Sequence, residues 1–160
     1  MPVMDGFMLA REIKADDTLK TIPLVLMTSS PQKGDSKRMR DTGFSGYLTK
    51  PVFSGELTTI LNHVWPAKKA GNDTELITRH SIRQHSHVTD KPASFKGTSV
   101  LLAEDNPVNA LIASRMLESH NYVVTLEGNG IEAVEQVQAR NFDVILMECD
   151  LTLSPSQTPR

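Results

Sequence analysis

The apolar positions of this chain switch between two periods. Leu24 to Met27, inside "TIPLVLMTSS", form a continuous apolar run of the kind carried by a strand covered on both faces. Leu57, Ile60, Leu61 and Val64 instead fall at i, i+3, i+4 and i+7, one stripe of a helix predicted over about 54–65. Around these, Phe7 to about Ala15 reads as a short helix and "YLTKPV" as a second strand ending at Lys50 and Pro51. Lys33 to Asp41 reads as a helix with Met39 as its one clear apolar anchor, closed by "TGFSG". From residue 98 the alternation resumes. "SVLLA" is a strand, Asn106 and Pro107 are the N-cap and first residue of a helix with the stripe Val108, Leu111, Ile112 and Met116, and "YVVTL" is a strand. After the turn "EGNG", a helix over about 131–139 carries Ala133, Val134 and Val137, and "FDVILM" is a last strand ending at Glu148. Strands alternating with helices imply a parallel sheet covered on both faces, yet the first half offers two strands and the second three. The opening "MPVMDG" is a turn that ordinarily follows a strand.

Between the halves the pattern fades. Residues 67–97 contain few large apolar side chains (Leu76, Ile77, Ile82, Val88 and Phe95) and are expected to be a flexible linker between segments 1–66 and 98–150. Its histidines His80, His85 and His87 read as part of a solvated basic stretch rather than a metal site. "LTLSPSQTPR", 151–160, has the composition of a disordered tail.

Composition narrows the picture only modestly. With 39% hydrophobic and 22% charged residues and a net charge of -2, the 160-residue chain has an ordinary surface, pointing away from nucleic acid. The single Cys149 excludes an intrachain disulfide and fits a reducing compartment. No apolar run approaches the roughly 20 residues of a membrane span, and no signal-like amino terminus is visible, so a cytoplasmic location without membrane contact is expected.

In an open parallel sheet, ligands sit beyond the carboxyl ends of the strands. The polar residues there are Glu104 and Asp105, Thr28, Lys50 and Glu148. Clustered carboxylates suit Mg²⁺, and a converging lysine and hydroxyl would complete a phosphoryl site, where positioning and charge neutralisation supply most of the chemistry. Each has a duller reading. Asp105 is equally a helix cap, Thr28 a turn residue, Lys50 a solvated charge and Tyr47 a half-buried strand aromatic. Their joint placement at strand ends favours the functional reading.

Five segments, "VLLAEDNPVN", "FDVILMECD", "MPVMDGF", "VLMTSS" and "GYLTKPV", resemble the signature stretches of two-component receiver domains, the phospho-accepting modules of response regulators and hybrid histidine kinases. The resemblance implies an α/β, flavodoxin-like, doubly wound parallel five-stranded sheet of order 2-1-3-4-5. The segments are permuted, however: the later half of a receiver (1–66) precedes the earlier half (98–150), as though one receiver's end were joined to the next one's start. The two halves are complementary, and the expectation is that they close on each other, Val144 to Met147 pairing beside Leu24 to Met27. An exchanged homodimer is the alternative.

The same resemblance assigns roles. Glu104 and Asp105 match the acidic metal-binding pair, Thr28 the hydroxyl that senses the phosphoryl group, Lys50 the lysine that binds it, and Tyr47 the switch aromatic. The backbone carbonyl of Asp150 matches a further metal ligand. The implied cofactor is Mg²⁺, held weakly or not at all if the halves stay apart, and the implied partner is a histidine kinase or histidine phosphotransfer protein. The acceptor position departs from the pattern, because Glu148 stands where aspartate is expected. Asp150 ranks second as an acceptor. Three readings follow: a degenerate or truncated phosphorelay segment without autonomous catalysis, a non-phosphorylatable interaction module, and a Mg²⁺-dependent aspartyl-nucleophile phosphatase. The third is disfavoured because those enzymes carry Asp-x-Asp where this chain has Glu104, Asp105 and Asn106.

Overall fold

The apolar runs become five strands, all parallel, in one sheet. A computed structural model describes residues 4–29, 34–71, 76–78, 81 and 97–150. In chain order the elements are α1 (Gly6–Ala15), β1 (Leu24–Thr28), α2 (Asp35–Thr42), β2 (Gly46–Thr49), α3 (Ser54–Lys69), β3 (Ser99–Ala103), α4 (Pro107–Glu118), β4 (Val123–Glu127), α5 (Gly130–Ala139) and β5 (Val144–Glu148). The strand order is β2-β1-β5-β3-β4. Read from the other edge, this is the order 2-1-3-4-5 with the last two strands moved to the front of the chain. The halves meet where β1 pairs with β5, Leu24 opposite Ile145 through Met27 opposite Glu148, beside one another as expected.

Side-chain alternation divides the sheet into two faces. Leu24, Leu26, Leu101, Ala103, Ile145 and Met147 point toward α1, α2 and α5. Val25, Met27, Val100, Leu102, Val144 and Leu146 point toward α3 and α4. Both central strands, β1 and β5, are buried along their whole length. On the first face Phe7 of α1 meets the Phe44 ring edge-on at 5.6 Å, tying α1 to the loop after α2.

Four expectations are corrected. Helix α3 does not stop near Trp65. Trp65 packs half-buried against the core and the helix runs through Pro66, whose carbonyl accepts from the Ala70 N–H at 3.0 Å. Helix α4 does not bury its Val108, Leu111 and Ile112 stripe: these are 63%, 56% and 49% exposed. It buries Ala110, Ala113 and Leu117, also at i, i+3 and i+7, because the alanines let the backbone approach the sheet closely. Residues 76–78 of the expected linker lie along the edge strand β2. The Ile77 N–H donates to the Ser45 carbonyl, the Tyr47 N–H donates to that of Ile77, both at 3.0 Å, and Leu76 is buried in the core. Gly46 permits the approach, since a Cβ there would run into Ile60 and the Ile77 carbonyl. The strand expected to end at Lys50 and Pro51 ends at Thr49, with Lys50 just beyond. The three linker histidines, the tail 151–160 and the first three residues of "MPVMDG" lie outside the described residues.

The rest of "MPVMDG" seals the joint between the halves. Asp5 caps α1, its carboxylate accepting from the Met8 N–H at 2.8 Å, and the Gly6 N–H donates to the Cys149 carbonyl at 3.0 Å. A Cβ at Gly6 would collide with the Glu148 backbone carbonyl, a wall that cannot rotate away. Gly55, by contrast, has open space around it within α3. Gly6→Ala is therefore expected to lower unfolding free energy by about 2–4 kcal/mol, and Gly55→Ala to raise it by about 0.5–1 kcal/mol, both read from urea denaturation. Equal, small effects of the two changes would mean that the α1 entrance does not sit against β5.

Candidate functional site

Four strands end together, and their register sets what meets. The Glu104 N–H continues the sheet by donating to the Glu127 carbonyl at 3.0 Å, and the Lys50 N–H donates to the Thr28 carbonyl at 2.9 Å. These backbone bonds aim Glu104 and Lys50 at the end of β5. There the Lys50 ammonium lies 2.8 Å from Glu104 Oε2 and 2.6 Å from Glu148 Oε1. Both carboxylates are buried, Glu104 at 3% and Glu148 at 7% exposure.

The remaining oxygens differ. Glu104 Oε1 accepts from the Asn106 N–H at 3.2 Å and from Asn109 Nδ2 at 3.3 Å. Glu148 Oε2 is buried without a hydrogen-bond partner among the described residues. Burial, followed by the neighbouring Glu104, pushes the Glu148 carboxyl up to about 7 against the opposing pull of Lys50. Burial alone would depress Lys50, but the two carboxylates outweigh it and hold the ammonium above its ordinary range. The pocket thus carries more negative than positive charge and keeps one acceptor unused.

Carboxylate oxygens of Glu104, Asp105 and Glu148 lie within 4.8 Å of one another. Opposite ligands of an octahedral Mg²⁺ are roughly 4.2 Å apart, so a small adjustment admits the ion. The orphaned Glu148 Oε2 supplies an independent reason for a cation, and the oxygen-only donor set suits Mg²⁺ rather than a softer metal. Asp105 is not the helix cap. Asn106 takes that role, its Oδ1 accepting from the Val108 and Asn109 N–H groups at 2.9 and 3.4 Å, which leaves the Asp105 carboxylate with the acidic cluster.

Of the other expected residues, Thr28 is buried at the end of β1, one position past the Met27–Glu148 pair. Tyr47 is half-buried on β2 against the face of α1, α2 and α5. Asp150 is exposed in the turn after β5, and its carboxylate is not one of the three clustered groups. Asn109 is the residue the sequence reading missed. Its signal was its place in the first turn of α4, three residues after the cap, where a side chain can turn back to the strand end. Cys149, next to Glu148, has its thiol pushed up to about 11 by burial, with Asp150 and Asp5 adding to the effect. It is therefore protonated near neutral pH and a poor nucleophile.

The doubly wound parallel sheet, with its acidic, lysine-clamped cluster at the carboxyl edge, is consistent with a flavodoxin-like receiver fold. Among known proteins, residues 1–62 of the chain match the response regulator receiver domain. A stretch of 64 residues, 40% of the chain, is 39% identical to a probable histidine kinase 1 of Oryza sativa subsp. indica, covering 6% of that protein. Another of 52 residues, 32% of the chain, is 44% identical to the response regulator PleD of Caulobacter vibrioides, covering 12% of it. A stretch of 52 residues, again 32% of the chain, is 35% identical to the polar-differentiation response regulator DivK of Brucella anthropi, covering 42% of it. The chain thus spans less than half the length of these relatives. No helix among the described residues is long and apolar enough to cross a membrane.

The raised Glu148 carboxyl has a definite pH signature. Its folded value of about 7 lies above its ordinary 4.5, so its contribution to stability is fully present below pH 4.5 and is lost as pH rises through about 7. Glu148→Gln removes that titration. In chelator, the variant should gain on the parent between these limits by of order 1–2 kcal/mol, read from urea midpoints. A parent–variant difference that stays flat with pH would show that Glu148 is ionised throughout.

Proposed function

We propose that the chain is a receiver-type phosphorelay signalling segment whose acceptor position is occupied by a poorly placed nucleophile, Glu148. The observation that carries this reading is the Lys50 ammonium bound to both Glu104 and Glu148, at 2.8 and 2.6 Å. In this reading Lys50 and Thr28 bind the phosphoryl oxygens, Tyr47 follows the occupancy of the site, and Asp150 is the second-ranked acceptor. Glu104, Asp105, Glu148 and the Asp150 backbone carbonyl hold Mg²⁺, which would neutralise charge on the phosphoryl group when bound.

The added methylene is what weakens the acceptor. It moves the carboxylate by roughly 1.5 Å, and a misplacement of about 1 Å can cost on the order of a hundredfold in rate. The same extension lets Glu148 reach Lys50 directly, so the ion pair stands where an acylphosphate would otherwise be bound. The phosphodonor is a histidine kinase or a histidine phosphotransfer protein. Its docking surface in this reading is the apolar face of α4, Val108, Leu111 and Ile112, which follows directly on the acidic pair and is exposed. A cytoplasmic site of action goes with such partners, and the chain has no autonomous catalytic role.

A second reading keeps the surface and discards the transfer. It is favoured by the same Lys50–Glu148 pair, which holds the lysine without any phosphoryl group and would fix one conformation for a partner to recognise. Incubation with a small phosphodonor and Mg²⁺, followed by intact-mass measurement, separates the two. The parent chain should show no stable phosphoryl adduct, and Glu148→Asp should gain one, retained at neutral pH and lost in hydroxylamine. An adduct mapped to Glu148 in the parent would overturn the assignment of a weak acceptor, and one mapped to Asp150 would move the acceptor there. Labelling absent from both proteins would favour the interaction module.

A further inference from the structure

A group of positive charges lies away from the site. Between α1 and α2 lies a cleft of about 580 Å³ lined by Arg11, Lys14, Lys37 and Arg38, with Asp41 as the one carboxylate in its wall among the described residues. Four cations against one anion is unusual for a protein whose overall charge is -2. The acidic residues of the same helix face elsewhere: Glu12, with the following Asp16, borders a separate cleft of about 240 Å³ between α1 and α5.

The four cations are not equivalent. Arg38 is held, its guanidinium stacked 3.8 Å from the centre of the Phe7 ring. Lys14 is also held, its ammonium donating to the Lys20 and Ile22 carbonyls at 2.7 and 3.0 Å, which fixes its charge in the wall. Arg11 and Lys37 are exposed at the rim, and neither forms an ion pair with a carboxylate among the described residues. Two anchored charges and two uncommitted ones give a preorganised wall with arms that can close.

We propose that this cleft binds a compact anion carrying two or more phosphoryl groups. The volume exceeds what a single phosphate fills and lies within the range of small-ligand sites. Two guanidinium groups supply planar donor pairs matched to phosphoryl oxygens, and two ammonium groups supply point charges. Among the described residues no aromatic ring lines the cleft to stack a base, so recognition is directed at the oligophosphate, free or attached to a nucleoside.

Titration calorimetry on the full chain with inorganic tripolyphosphate, in chelator-free buffer without divalent metal, tests the assignment. Binding should be saturable with one site. The charge-reversed double variant Arg11→Glu, Lys37→Glu should weaken it at least about tenfold, whereas Arg115→Glu, on α4 and outside the cleft, should leave it within about twofold. Because Arg11 and Lys37 are exposed, a far-ultraviolet spectrum identical to the parent's is expected for the double variant, and the conservative Arg11→Lys, Lys37→Arg pair should retain binding. Adenosine diphosphate at equal ionic strength distinguishes the sources: equal or tighter binding supports an oligophosphate site open to nucleotides, and tripolyphosphate alone supports the free anion. No binding up to about 5 mM, or the same loss of affinity in the double and the Arg115→Glu variants, would overturn the proposal and leave only diffuse attraction to surface charge.

Discussion

The pairing of β1 with β5 is the joint on which everything else rests. It brings Leu24 to Met27, from one end of the chain, beside Ile145 to Glu148, from the other. Both strands are buried on both faces, so leaving either edge unpaired would strand a row of backbone donors and acceptors in an apolar environment. The register is as important as the pairing. A slip by one residue would turn every side chain of β5 to the opposite face, moving Ile145 and Met147 from the α1 side to the α4 side. The backbone bonds on either side of the ladder oppose such a slip. The Ile145 N–H donates to the Pro23 carbonyl and the Cys149 N–H to that of Met27, while Gly6 closes the far end on Cys149.

The charge cluster is the chemical outcome of that register. Taking Lys50, Glu104 and Glu148 out of water is costly, and their mutual attraction offsets the cost only because the geometry is short and the lysine is shared. The compensation is incomplete. One oxygen of Glu148 has no hydrogen-bond partner among the described residues, and burial, followed by Glu104, pushes its carboxyl up to about 7. A structural ion pair selected for stability alone would be expected to satisfy both carboxylate oxygens.

Much of this was legible in the sequence because the governing signals are local. The continuous apolar runs at 24–27, 100–103 and 144–147 mark strands buried on both faces, and strand-end polar residues are forced into one place by any parallel sheet. The failures come from choices that local pattern leaves degenerate. Helix α4 carries two stripes, a bulky one through Val108, Leu111 and Ile112 and a small one through Ala110, Ala113 and Leu117; only the closeness of the sheet selects the second. Leu76 and Ile77 sit in a polar context that reads as linker, yet the edge of β2 offers a missing side chain at Gly46 and two unpaired backbone groups for Ile77 to meet. Asn109 was hidden because its role depends on where Glu104 points.

The site also constrains how the molecule assembles. Glu104, Asp105 and Glu148 come from the second half and Lys50 and Thr28 from the first, so no half can hold the cluster alone. The second half by itself would bring Glu104 and Glu148 together with no lysine between them, and like charges repel. The first half by itself would expose β1 and leave Lys50 solvated, which costs little electrostatically. Folding therefore gains its electrostatic compensation only when β1 meets β5, at the step that also removes the last apolar edges. Because that contact joins opposite ends of the chain, loop-closure entropy must be overcome before either reward arrives. The permuted order thus makes strand pairing and assembly of the acidic site a single event, and any change that weakens the β1–β5 ladder weakens the site with it.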